Sequence, residues 1–307
     1  MNRNLTIDIL KIALAFFVVG LHGSFLVDIY PVAGYMLKEG VFRVAVPLFL
    51  IISGYYFYRM DTFEKELKFI GRLFALYTVW FIIYIPFFYK RYYLDVISYD
   101  FFNGIRHLWY LIHAVYAFFL LSLLKRVEVK KQAAIIGLLA IIGLVFQYNR
   151  SYDFLGNKQL IDVFVYRNAL FFCLPFIYLG YAIRKYDWQV DGKIWAICGF
   201  ILIFGESYVN HFWAKGSFDI LVSLYVLCPA LFLWVIRSTK TTSVKYLSEI
   251  SAAVYLVHPY FLKEMPLDSF FTNIYHRYTL LTLFAFVLSA LVSSMLILLN
   301  KKLKYIL

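Results

Sequence analysis

Paired cysteines, glycine-rich phosphate loops, an HExxH helix and internal repeats are all missing from this chain. Their absence argues against a disulfide framework, a P-loop and a zincin-type metal site, and no metal is expected. The three cysteines, Cys173, Cys198 and Cys228, fall in apolar runs without ligand spacing and read as small core residues. Charge is also scarce. Only 16% of residues are charged, against about a quarter in an ordinary soluble domain.

Hydrocarbon fills the space instead. Of 307 residues, 63% are hydrophobic, and the mean hydropathy is +0.74. This composition predicts an all-α, polytopic transmembrane helix bundle, a single domain over 1–307. The first apolar run is too long for a cleavable signal peptide, and the length leaves no room for a sizeable soluble domain. Ten apolar runs lie near 7–27, 41–58, 70–89, 107–124, 132–148, 166–183, 194–211, 219–236, 247–263 and 279–300. Most have the length of a helix that crosses a hydrocarbon core of about 30 Å. The ninth is short and is expected to end at Pro259.

The basic residues are asymmetric. With an inside N-terminus, 18 fall on the inner side and 11 on the outer side, and Lys11 lies within the first run. That bias predicts cytoplasmic termini and an even number of spans. Topology and anionic inner-leaflet lipid therefore account for much of the net charge of +12, and no nucleic-acid partner is needed.

Ionisable residues inside spans are costly and mark function by default. Depth assignment sorts them into two layers. Asp8, Lys11, Lys68 and Arg72 fall towards the inside; His22, Arg43, His107, Arg167, Glu206 and His258 fall towards the outside. Lys11 and His22 share a helix face, about 16 Å apart along the axis. Asp8 is expected to pair with Lys11 at i,i+3. Pro47 is expected to kink or loosen the second helix, and Pro175 lies mid-span in the sixth. An inner basic layer suits a phosphorylated cytosolic donor. A histidine-rich outer layer suits proton transfer on an acceptor hydroxyl.

Five blocks then carry a resemblance. They are Asp8, Lys11 and His22 in the first run; FRVAVPLFLIISGYYF (42–57), with Arg43, Pro47, Ser53 and Gly54; KFIGRLFALYTVW (68–80), with Lys68 and Arg72; HLWYL (107–111); and VYLVHP (254–259). In this order the chain resembles the integral-membrane acyltransferase 3 family, which includes bacterial surface-polysaccharide O-acetyltransferases. The resemblance departs at Lys11, where the family usually has arginine, and at Ala75, where a second basic residue is usual. It implies the stand-alone type of the family and a multi-pass location in the bacterial cytoplasmic membrane.

The same resemblance implies acyl transfer, most often acetyl, from acetyl-CoA or another short acyl-CoA to a hydroxyl of a glycan or lipid-linked glycan. His22 is then the catalytic group, as general base or by a transient acyl-histidine. Arg43 and Arg167 are candidates for oxyanion or sugar binding. Lys11, Lys68 and Arg72 would hold the co-substrate, with Asp8, His107, Glu206 and His258 in support. No permanently bound cofactor is expected, and membrane lipid is a partner.

Blander readings stay open beside these. Arg43 and Arg167 would snorkel to headgroups, His107 and His258 would bond backbone at helix ends, His113 would be a satisfied core histidine, and Lys68 and Arg72 would serve topology alone. At the level of function, the alternatives are a polytopic glycan transporter or exporter without transfer chemistry and an inactive relative acting as a membrane sensor or scaffold.

The orientation is open to test. Single cysteines in the 59–69 and 125–131 loops should resist impermeant thiol reagents in intact cells, whereas cysteines at 158 or 215 should label. The opposite pattern would invert every depth given above.

Overall fold

The computed structural model describes residues 3–88, 94–214, 216–265, 271 and 276–303. Lys90, Arg91, Lys215 and Lys304, which enter the charge asymmetry, lie outside the described residues. The structure is 79% helical. In chain order the helices are α1 (Leu5–Gly23), α2 (Pro31–Lys38), α3 (Ala45–Phe57), α4 (Phe63–Phe88), α5 (Leu94–Asn103), α6 (Trp109–Leu124) and α7 (Val129–Tyr152). They continue with α8 (Val163–Tyr166), α9 (Leu174–Lys185), α10 (Gly192–Trp213), α11 (Leu224–Ile236), α12 (Tyr246–Pro259) and α13 (Arg277–Leu303). One feature falls outside the all-α expectation. Strand β1 (Arg3–Asn4) pairs antiparallel with β2 (Thr241–Thr242), in the register Arg3–Thr242 and Asn4–Thr241.

Seven helical stretches among the described residues are long and apolar enough to cross a membrane: Leu5–Gly23, Pro31–Phe57, Phe63–Phe87, Arg106–Leu124, Val129–Tyr152, Gly192–Trp213 and Arg277–Asn300. The other three expected runs carry shorter or interrupted helices. In the sixth, α8 ends at Tyr166 and a π-helical turn, Ala169–Cys173, leads into α9. Asn168 makes this break possible. Its amide nitrogen donates to the Phe164 and Val165 carbonyls, and its oxygen accepts from Leu170 and Phe171 N–H. One side chain thus finishes one helix and starts the next, the role that short polar residues play at caps. Pro175 sits in the first turn of α9, where its missing N–H costs little. Pro47 likewise falls in the first turn of α3, after a 3₁₀ turn at Val41–Val44. Each proline thus follows an irregular turn, 3₁₀ before Pro47 and π-helical before Pro175.

The outward faces are apolar. Helix α7 exposes Ile135, Leu138, Ile141 and Val145; α10 exposes Ile194, Ile197, Ile201 and Phe204. Three- and four-residue intervals place each set on one side. In water such stripes would be liabilities, whereas against acyl chains they are at rest.

The chain forms two compact units. The first comprises Met1–Phe49 and Val190–Leu307, and the second Leu50–Gln189. In the first unit, α1 packs on α12, α13 and the Val41–Val44 turn, and α10 packs on α11. Helix α1 is set at both ends. Asn4 accepts from Ile7 N–H at 3.1 Å, and Ser24 stops the helix in the left-handed conformation. Asp28 caps α13 from a distance, accepting from Tyr278 N–H at 2.7 Å and Thr279 Oγ1 at 2.6 Å. Partial burial pushes that carboxyl up, but the bonds from Thr279 and Tyr278 outweigh it and hold it below the ordinary carboxylate value.

In the second unit, α4 and α9 both pack on α6, and α7 packs on α9. Helices α3 and α9 meet at glycines. A Cβ at Gly54 would run into the Ile177 carbonyl, and one at Gly180 into the Ile51 carbonyl. Small residues permit this backbone approach, as is common between membrane helices. Gly54→Ala or Gly180→Ala should therefore force the helices apart, at a cost of about 1–3 kcal/mol. Thermal unfolding in detergent reads this directly. Gly71→Ala is the control, because a Cβ there meets nothing. Equal stability of all three variants would remove the close contact.

Candidate functional site

The first unit carries Asp8, Lys11, His22, Arg43, Glu206 and His258; the second carries Lys68, Arg72, His107 and Arg167. Asp8 is 2% exposed and takes a two-pronged bond from Arg3, with Nε to Oδ2 at 3.1 Å and Nη2 to Oδ1 at 3.0 Å. Lys11 donates instead to Ser248 Oγ at 3.0 Å. The expected Asp8–Lys11 pair is thus replaced by two others. The planar guanidinium of Arg3 matches a carboxylate better than an ammonium does, and β1 pairing with β2 holds the Arg3 backbone in place.

His22 lies in the last turn of α1 and is exposed. Its ring stacks on that of His258, with centroids 5.3 Å apart and planes inclined at 29°. The Lys11–Ser248 and His22–His258 contacts ascend both chains together, so α1 and α12 run parallel. The two contacts are about 16 Å apart along the axis.

His258 is fully buried. Pro259 follows it and has no N–H, so the Tyr255 carbonyl loses its ordinary helical partner. His258 Nδ1 takes that place, 2.8 Å from Tyr255 O and 3.2 Å from Val254 O. Both are acceptors, so Nδ1 carries the proton and the neutral ring keeps its lone pair on Nε2. Backbone bonding at a helix end is therefore real here, and it fixes a tautomer. The helix does not stop at Pro259 but continues as a π-helical turn, Tyr260–Glu264.

Arg43 does not snorkel. Its Nη1 lies 2.6 Å from Asp219 Oδ1 and its Nη2 lies 2.5 Å from Glu39 Oε2; all three side chains are largely buried. Glu39 Oε2 also accepts from Phe218 N–H at 3.0 Å. The cluster ties the end of α2 and the turn before α3 to the segment before α11. The neighbouring Phe42 ring packs on Gly20 of α1, two residues before His22. Glu206 caps α11, its two oxygens accepting from Val222 and Ser223 N–H, both at 2.9 Å.

In the second unit Lys68 and Arg72 are exposed on α4, without a hydrogen bond or ion pair to any described residue. His107 is buried edge-on to Tyr84, with centroids 5.2 Å apart. His113 is buried near Trp109, a core position. The Arg167 guanidinium lies 4.9 Å from the Trp109 ring centroid, a cation–π contact. Glu39 and Asp219 were not singled out by the sequence reading. The i,i+4 spacing of Glu39 and Arg43 was a usable signal; Asp219, some 180 positions further on, carried none.

The Arg43 cluster has a clean test. Arg43→Met strands two buried carboxylates and should sharply lower accumulation, since breaking a buried pair costs about 3–5 kcal/mol. Arg43→Met combined with Glu39→Gln and Asp219→Asn should recover accumulation, read by in-gel fluorescence of a tagged chain. Failure to recover would deny that charge balance is what Arg43 supplies.

Comparison with known proteins gives one family and several distant relatives. The family described as "Acyltransferase domain" matches residues 4–299, nearly the whole chain. A "Serine/alanine racemase" of Enterococcus gallinarum is 27% identical over 84% of this chain and 41% of its own length. An "Amino-acid racemase" of Enterococcus faecalis is 25% identical over 97% of this chain and 46% of its own length. The chain thus spans less than half the length of these curated relatives. No solved structure matches it significantly. Match and fold together place it as a multi-pass helical membrane protein, and the chain belongs to the acyltransferase 3 family.

Proposed function

We propose that the chain is a membrane O-acyltransferase that moves an acyl group, acetyl in the first instance, from acyl-CoA to a glycan hydroxyl. The acceptor is a cell-surface glycan or its lipid-linked precursor. The observation that carries this reading is the stacked His22–His258 pair in a chain of this family. A thioester is a competent acyl donor, but a sugar hydroxyl is a weak nucleophile near neutral pH. In this reading His22 takes the hydroxyl proton as the oxygen attacks the thioester carbonyl. The C–O bond forms, the C–S bond breaks, and the imidazolium returns the proton to the leaving thiolate. A transient acyl-histidine reaches the same products in two steps. His258, its tautomer fixed by Pro259, holds the face on which His22 rests.

The two arginines divide in this reading. Two carboxylates already offset the charge of Arg43, so it acts by fixing the segment around Asp219. Arg167, whose guanidinium lies over Trp109 within the second unit, is kept as a candidate for oxyanion or sugar binding. Lys11, Lys68 and Arg72 face the phosphorylated donor, and the exposure of Lys68 and Arg72 suits that role. Ten spans, both termini in the cytoplasm and a place in the bacterial cytoplasmic membrane complete the proposal.

A second reading is transport without transfer chemistry. Charged side chains within the helices, such as Asp8 and Lys11, suit a permeation path as well as a catalytic site. Surface-glycan ester content, at matched protein level, separates the two. Deletion should remove ester-linked acyl groups, and His22→Gln should fail to restore them. General bases contribute about a hundredfold to ten-thousandfold, so His22→Gln should lower the transfer rate by about that factor. Arg72→Ala and Lys11→Ala should raise the donor concentration required, while Lys11→Arg should not. Normal ester content with His22→Gln would overturn the catalytic assignment, and normal content after deletion would favour transport.

A further inference from the structure

At one end of the second unit, the ends of α3, α6 and α9 and the start of α4 converge on Lys125. Its ammonium pairs with Glu66 of α4 and lies 5.4 Å from the Phe57 ring centroid and 5.7 Å from that of Tyr181. Four more cations lie at the same helix ends, around this half-buried post. Arg184 lies 5.3 Å over Tyr55 and donates to its hydroxyl at 3.0 Å. Lys185 lies 5.3 Å from both Tyr181 and Tyr186. Arg59 lies 5.5 Å over Tyr56, and Arg126 5.3 Å over Phe63.

These four cations differ from Lys125 in one respect. None has a carboxylate in ion-pair range among the described residues. Arg59, Arg126 and Arg184 are exposed. Their rings hold them in place without neutralising them, which is the state of a site awaiting an anion. The surface lies at the ends of apolar helices among tyrosines, the setting in which interfacial aromatic belts form. Guanidinium groups bind phosphate with two parallel bonds, and juxtamembrane cations of this kind attract anionic headgroups.

We propose that this surface binds the phosphate of an anionic phospholipid, held by Arg59, Arg184 and Lys185. The inference does not depend on the acyl-transfer reading. Two other accounts make different predictions. Arg184 and Lys185 lie in the last turn of α9, where they also offset the helix dipole; that role stabilises the fold whatever the lipid. The phosphates of coenzyme A share the chemistry and would compete for the same cations.

The test uses the full chain in phosphatidylcholine nanodiscs, with or without phosphatidylglycerol, and reads the melting temperature. Phosphatidylglycerol should raise it for the wild type. The Arg59→Gln, Arg184→Gln, Lys185→Gln variant should lose that increment, whatever its baseline, and added coenzyme A should leave the wild-type increment intact. Arg184→Gln alone should lose part of it, which keeps the test usable if the triple variant does not accumulate. The proposal is overturned by equal melting in the two lipids, by a full increment in the variants, or by loss of the increment on adding coenzyme A.

Discussion

In hydrocarbon no water stands ready to bond a peptide group, so each place where a helix stops must find its partner within the chain. Much of this structure is the answer to that constraint. Asn168 bonds four backbone groups across the gap between α8 and α9. Asp28 supplies acceptors at the start of α13, and Glu206 does so just ahead of α11. At Pro259 the released carbonyl is taken by an imidazole. That last case joins architecture to chemistry, because the same bond decides which nitrogen of His258 bears the proton.

Buried charge follows the same logic. Asp8 is held by Arg3, Glu39 and Asp219 by Arg43, and Glu66 by Lys125. Each pair joins positions that the chain must bring together: the N-terminal strand and α1, the end of α2 and the segment before α11, α4 and the end of α6. An ion left alone there would be far more costly than the pair. The pairs therefore specify which segments meet as well as stabilising them. Lys68, Arg72 and the cations at the end of α9 have no such partner among the described residues, and these carry the proposals about phosphorylated ligands.

The five sequence blocks and their order pointed to the acyltransferase 3 family, and the match over residues 4–299 bears this out. Hydropathy alone located the seven membrane-length helices among the described residues, though not the short α2 and α5, because a membrane helix satisfies its own backbone and needs only a long apolar stretch. The spacing of Lys11 and His22 on one face also followed from helix geometry alone.

Side-chain partnership was different. Asp8 has Lys11 one turn away, yet it bonds Arg3, whose position depends on a strand partner at Thr242. Arg43 has one partner within reach along the chain, Glu39 at i−4; Asp219, brought from beyond α10, adds the second buried carboxylate. His22 meets His258 across more than two hundred residues, and the tautomer of His258 needs both the helix and the proline that breaks it. Periodicity encodes the face a residue presents, since that is a local angle. Tertiary packing alone decides what the face meets, since that depends on which distant helix lies against it.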